Sequence, residues 1–270
     1  MIELLQITND PAFARRCDAL EGLRLFVDLE QLGKAERQAG MNTFISAHEL
    51  EDVARIKAVL RRSRLMVRLN PLNPATAAEV EAVLARGADL LMLPMFTCAA
   101  ELAAFSRLVA GRVPIVPLLE TADALASLDQ WIATPGLEEV FVGLNDLHVS
   151  LGCRFMFEPL ALGHLDRVAA AARRQGLRFG FGGIARLDEG LLPGRDVLAE
   201  HVRLGSQAVI LSRTFHRGEA TTAFESEVAA LREAEMALAA RSAGQREADH
   251  HKALARITEL ASARGAGVAG

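Results

Sequence analysis

The residues best suited to chemistry are two carboxylates, each following an apolar run. PIVPLLE ends at Glu120, and after an amphipathic span VFVGLND carries the chain to Asn145 and Asp146. If both runs are strands of one parallel sheet, the right-handed crossover sets their C-terminal ends side by side and both acids face one pocket. Two oxygen ligands with positions left for water and substrate suit a hard divalent cation such as Mg2+. A cation held there chelates a 2-oxo acid through its carboxylate and carbonyl oxygens. Arg68, at the end of another apolar run, is placed to donate to the oxygen that becomes an enolate. His48 opens a helical span and is the candidate for moving a proton during C–C cleavage or condensation. Asp28 and Glu30 close a further run, and alternation sends both to the same side, with Glu30 nearer the mouth. Gly182, within the glycines at 180, 182 and 183, and Arg213 let backbone amides and a guanidinium approach an anionic group such as a phosphate. Asn145, beside Asp146, completes the substrate-binding candidates.

Such groups need a scaffold that gathers strand ends. From residue 23 onward, short apolar runs alternate with longer helical patterns, as βα units around a parallel sheet require. Eight runs are visible, at residues 23–29, 43–46, 65–69, 90–93, 115–119, 140–142, 178–181 and 208–211. Their near-continuous hydrophobicity says that both faces are buried. Between them lie helical spans at 48–60, at 74–85 before Gly87, from Thr97 to near Gly111, and after Thr121, where the two threonines serve as caps. The expected fold is a (β/α)8 TIM barrel over residues 1–215 with a lead-in at 1–22, and an open doubly wound sheet is the alternative. Residues 216–270 read as a C-terminal helical extension. It carries a stripe of Phe224, Val228, Leu231 and Leu238, a polar break at 242–249, a second helix over 250–263 and a fraying tail.

Composition narrows the class. A chain of 270 residues, 51% of them apolar, can fill one barrel core. The formal charge of −4, from 30 Lys+Arg against 34 Asp+Glu, leaves no basic field for nucleic acid, so small molecules or protein partners are expected. Cys17, Cys98 and Cys153 are odd in number and widely spaced, which argues against a disulfide framework or a zinc site and fits a reducing cytoplasm. The first ten residues, MIELLQITND, lack the basic segment of a signal peptide, and no apolar stretch reaches membrane-spanning length.

On FVDLE (26–30), MVRLNP (66–71), GADLLMLP (87–94), PLLET (117–121) and VGLNDLHVSLG (142–152), the chain resembles the HpcH/HpaI aldolase and citrate lyase β-subunit family of the phosphoenolpyruvate/pyruvate barrels. The resemblance covers roughly residues 23–215. It implies that Glu120 and Asp146 are ligands of Mg2+, or of Mn2+ or Co2+, and that Arg68 binds the oxo acid and its enolate. It also matches Glu30 to the acid of the citrate-lyase-like first strand, and His48 to the strand-two histidine of the aldolase branch. The citrate-lyase-like branch carries a lysine after the fourth-strand proline, whereas Met95 follows Pro94 here. Family members are commonly homo-oligomers that pack the helix after the eighth strand on a neighbour, a role open to the Phe224–Leu238 stripe.

Three functions compete. The first is a metal-dependent C–C lyase or aldolase that joins or splits a 2-oxo acid and an aldehyde. The second is a citrate-lyase-like enzyme of an acyl-CoA thioester. The third is a non-catalytic barrel that binds an oxo acid as a sensor or assembly subunit. Plainer roles compete residue by residue. Glu120 and Asp146 can be helix caps or ion-pair residues, Arg68 can pair with Asp28 or Glu30, and the glycines can serve a tight turn.

Overall fold

The stretch Leu23–Asp28 is a strand with all six residues buried, and its two faces differ. Leu23, Leu25 and Val27 join the outer core, whereas Phe26 joins a separate inner cluster with Leu5, Met66, Met92, Leu118 and Phe141. The period of two therefore sends Arg24, Phe26 and Asp28 to the inside of a closed sheet. The computed structural model describes residues 1–33, 47–212, 215 and 223–266. Its strands are β1 (Glu3–Ile7), β2 (Leu23–Asp28), β3 (Leu65–Arg68), β4 (Leu90–Leu93), β5 (Ile115–Leu119), β6 (Glu139–Val142), β7 (Arg178–Ile184) and β8 (Ala208–Leu211). They pair in parallel and in chain order, and β1 also pairs with β8. The result is the TIM-type barrel, with helices packed around it.

The described helices are α1 (Pro11–Asp18), α2 (Leu50–Lys57), α3 (Thr76–Ala85), α4 (Ala99–Val109), α5 (Ala122–Ala126) and α6 (Leu128–Trp131), followed by α7 (Leu144–Ser150), α8 (Glu158–Ala161), α9 (His164–Arg174), α10 (Gly194–Leu204), α11 (Ala223–Ala239) and α12 (Ala243–Ala266). Thr121 caps α5, accepting from the Ala124 N–H, as its position predicts. Thr97 does not cap; its N–H donates to the Glu101 carboxylate, and Cys98 takes the N-cap place of α4.

The inside of the barrel is layered. At the N-terminal end, Arg24 is fully buried and grips Glu139 through both terminal nitrogens, at 3.1 and 2.9 Å. Glu3 accepts from Arg24 and, at 2.8 Å, from Arg178, so four charges close this end. The apolar inner cluster fills the middle. Asp28, Arg68 and Glu120 crown it at the C-terminal end, each two positions beyond an inward apolar residue of the middle layer (Phe26, Met66 and Leu118). Alternation along three strands is thus what makes one polar mouth.

Two expectations change, at residues 3–7 and at 242–249. Residues 3–7, read as lead-in, are the barrel's first stave; β1 presents Glu3, Leu5 and Ile7 inward and Leu4 and Gln6 outward. The run at 43–46 lies outside the described residues, and β2 pairs directly with β3, Asp28 opposite Arg68. The polar break at 242–249 shrinks to a few residues, because α12 is helical from Ala243. Of the stripe left open to packing on a neighbour, Phe224, Val228 and Leu231 are nearly inaccessible within the chain itself, and Phe224 is edge-on to Phe13 of α1 at 4.9 Å. Each such side chain contributes about 1.5–3 kcal/mol of burial to holding α11 on the barrel. All three cysteines are free thiols, and among the described residues no helix is long and apolar enough to cross a membrane.

Candidate active site

Asp28 and Arg68 meet as cross-strand partners in a two-toothed ion pair. Arg68 Nε and Nη2 each donate to Asp28 at 2.8 Å, and Glu30 stands 3.4 Å from the same Nε. Burial alone would lower the affinity of Arg68 for its proton, but Asp28, Glu30 and Glu120 outweigh it and hold the guanidinium above its ordinary range. Arg68 is therefore a fixed cation whose plane is set by Asp28. The ion pairing open to Arg68, with Asp28 or with Glu30, is made to both.

Glu120 follows β5 and is 2% exposed. One oxygen, Oε1, accepts from the Met95 N–H at 3.0 Å. Met95 sits at φ 56°, left-handed backbone for a side-chain-bearing residue, and such strain persists only where its surroundings enforce it. Thr121 helps, donating its hydroxyl to the Phe96 carbonyl at 2.8 Å and so tying the β4 loop to the end of β5. Burial pushes the Glu120 carboxyl up to about 8; Arg68 opposes the shift, and Asp146 and Glu30 add to it. Asp146 lies in the first turn of α7, near enough for its charge to act on Glu120. The two acids at the ends of successive strands thus share one electrostatic environment.

His48 is 6% exposed, and its Nδ1 accepts from the Asp28 backbone N–H at 3.0 Å. A backbone N–H can only donate, so the neutral ring carries its proton on Nε2. His48 borders a cavity of ≈ 350 Å³ together with Leu29, Leu69, Asn70 and Glu79. Leu29 and Leu69 belong to the outer core rather than the inner one. Asn70 is a brace: Oδ1 accepts from the N–H groups of Gln31 and Leu32 at 2.9 and 3.0 Å, fixing the chain just past Glu30.

Of the residues singled out from sequence, Glu30, Arg68, Glu120 and Asp146 share this environment, and His48 joins through the backbone of Asp28. Asn145 stands exposed on α7. Gly182 has φ 55°, and a Cβ there would meet Leu144 Cδ1 at 2.9 Å, so backbone and packing already demand glycine. Arg213 lies outside the described residues. Sequence reasoning missed two neighbours of the Glu120 carboxylate, the Met95 N–H and Gly143. A backbone donor leaves no mark in residue type, although a glycine directly after a strand is a visible cue.

Whether the site suits a divalent cation can be judged from its donors. Asp28, Glu30, Glu120 and Asp146 crowd the mouth, and Arg68 is the cation among the strongest influences on Glu120. Hard carboxylate oxygens in excess of positive charge fit Mg2+ or a similar ion, which needs one or two carboxylates and retains water. Among the described residues no group of three or more His, Cys, Asp or Glu is arranged to hold a metal.

Fold and mouth together define a (β/α)8 barrel with an acid-rich, arginine-bearing C-terminal face. The HpcH/HpaI aldolase/citrate lyase family profile matches residues 24–182, and the chain belongs to that family. Among curated relatives, a (3S)-malyl-CoA thioesterase of Cereibacter sphaeroides is 32% identical over 114 residues, 42% of this chain and 40% of that protein. A hydroxypyruvate/pyruvate aldolase of Rhizorhabdus wittichii is 34% identical over 77 residues, 26% of this chain and 31% of that protein. The matched stretches thus span well under half the length of these relatives. The crystal structure of an HpcH/HpaI aldolase from Desulfitobacterium hafniense superposes with a TM-score of 0.62 at 18% identity, covering 86% of this chain and 93% of that one. This last likeness speaks for the fold.

Proposed function

We propose that this protein is a divalent-cation-dependent carbon–carbon lyase or aldolase that works through the pyruvate-like enolate of a small 2-oxo acid. The observation that carries the reading is the charge balance at the barrel mouth, with Glu120 buried beside Asp146 and Glu30 and faced by Arg68. Glu120 and Asp146 would hold the ion. Mg2+, Mn2+ or Co2+ bound there would supply the positive charge that polarises the substrate carbonyl.

The chain's own groups account for the rest. Asp28 clamps Nε and Nη2 of Arg68, which leaves Nη1 outside the fork to donate to the oxygen where enolate charge develops. A preset guanidinium stabilises that charge without having to reorient. His48, whose Nδ1 accepts from the Asp28 N–H, would act through Nε2 as a neutral hydrogen-bond donor rather than as a base. Glu30, 2% exposed, keeps Arg68 from swinging out of the mouth.

The test is turnover with pyruvate and a panel of aldehydes, with metal removed by chelation and restored as Mg2+, Mn2+ or Co2+. Glu120→Gln and Asp146→Asn should each lower metal-stimulated turnover by about 100-fold or more. Undiminished stimulation in both variants would end the proposal. A second reading, action on an acyl-CoA thioester, draws on the malyl-CoA thioesterase match. Met95, where the citrate-lyase-like branch carries lysine, weighs against it. Calorimetric titration with CoA and a malyl thioester separates the two.

A further inference from the structure

Gly143 lies between the two acids in sequence and beside Glu120 in space, one residue past β6 and three before Asp146. Its own backbone gives no reason for glycine: at φ −86° and ψ 92° any L-residue is comfortable. The reason is the occupant of the space beside it. A Cβ on residue 143 would stand 2.7 Å from Glu120 Oε2, 3.2 Å from Glu120 Cβ and 3.1 Å from Leu118 Cδ1. Alternation along β6 turns Glu139, Phe141 and residue 143 to the inside, so the missing side chain is an inward notch at the height of Glu120.

The two oxygens of Glu120 are therefore placed by different neighbours. Oε1 is pinned by the Met95 N–H at 3.0 Å, and Oε2 occupies the notch over Gly143, on the strand end that leads to Asp146. With Oε1 fixed and the side chain 2% exposed, a methyl group in the notch can be relieved only by moving the carboxylate. We infer that Gly143 is a positioning residue of the cation site: its absent side chain is the space that lets Glu120 present Oε2, as a single oxygen ligand, toward Asp146. This rests on the proposed role of Glu120 as a ligand. The end of a flexible side chain yields more readily than backbone, so a larger residue here displaces the ligand and leaves the barrel standing.

The experiment is titration of the metal-free protein with Mn2+, followed by calorimetry and by the electron spin resonance signal of free Mn2+, with thermal unfolding of each metal-free variant alongside. Gly143→Ala should bind Mn2+ about 10–100-fold more weakly than wild type while its metal-free melting temperature stays within a few degrees. Glu120→Gln is the control. If Glu120→Gln loses affinity and Gly143→Ala binds as wild type does, the inference is overturned and the ligand reading stands. If Glu120→Gln itself binds as wild type does, the ligand reading falls and this inference with it. Should Gly143→Ala fail to fold, the pair Glu120→Ala and Glu120→Ala/Gly143→Ala decides. With the carboxylate gone the 2.7 Å clash is removed and only the milder contacts with the residue-120 Cβ and Leu118 Cδ1, at 3.2 and 3.1 Å, remain, so the double variant should melt within a few degrees of the single one, and an unfolded double beside a folded single overturns the claim.

Discussion

Arg68 and Asp28 share two hydrogen bonds of 2.8 Å in a nearly buried setting, so neither can be lost alone without stranding the other. Arg68→Ala and Asp28→Ala should each cost about 2–4 kcal/mol in urea unfolding, and the double variant clearly less than the sum, since removing both charges leaves no buried ion unpaired. Equal and additive losses would mean the pair is energetically slack. At this scale the sequence was informative about type and weak about partner. Arg68, Glu30, Glu120 and Asp146 stand out because ionisable groups rarely close buried strands. That Asp28 would clamp Arg68 follows only from their register, which sets the two directly opposite one another. His48 shows the other limit. Its position after an apolar run hints at proton transfer, but which nitrogen accepts depends on a backbone N–H that composition does not reveal.

At the scale of elements, α10 is locked to β7 by a histidine that must stay neutral. His201 is fully buried, stacks on Phe181 with ring centroids 3.7 Å apart and meets Ser206 Oγ at 2.8 Å through Nδ1. Burial holds its pKa down at about 3, against an ordinary value of 6.5. Between those values the unfolded chain binds a proton that the folded one refuses. Stability from this site is therefore intact above about pH 6.5 and falls as the pH drops, by at most about 1.4 kcal/mol per pH unit. The stability gap between wild type and His201→Phe should narrow on going from pH 7 to pH 5, as read by denaturant midpoints, and a gap independent of pH would refute this. Element order was mostly legible because seven of the eight runs, all but that at 43–46, coincide with strands. The exception, β1, hid because Glu3 serves the charged floor and Gln6 faces outward, which breaks the apolar run that marks its siblings. The apolar run at 43–46, which lies outside the described residues, offered a more obvious eighth stave, whereas among the described residues β1 closes the ring by pairing with both β2 and β8.

For the whole molecule, the layered interior separates durability from chemistry. The Arg24, Glu139, Glu3 and Arg178 floor lies at the N-terminal ends of the strands and the acidic mouth at the other. Glu139→Gln should lower the melting temperature by about 5–12 °C through the loss of a buried ionic partner of Arg24, while turnover at permissive temperature stays as in wild type. A large fall in turnover with an unchanged melting temperature would show that the two ends are coupled.

Glu3 lies opposite Ala208 where the ring closes, so the first stave to leave the ribosome waits for the last, about two hundred residues later. Until then β1 has an unmatched edge and the acidic mouth has no fixed circumference. Seam formation between the chain's beginning and its far end is thus the long-range step, slow by the entropy of so large a loop, on which every distance at the mouth depends.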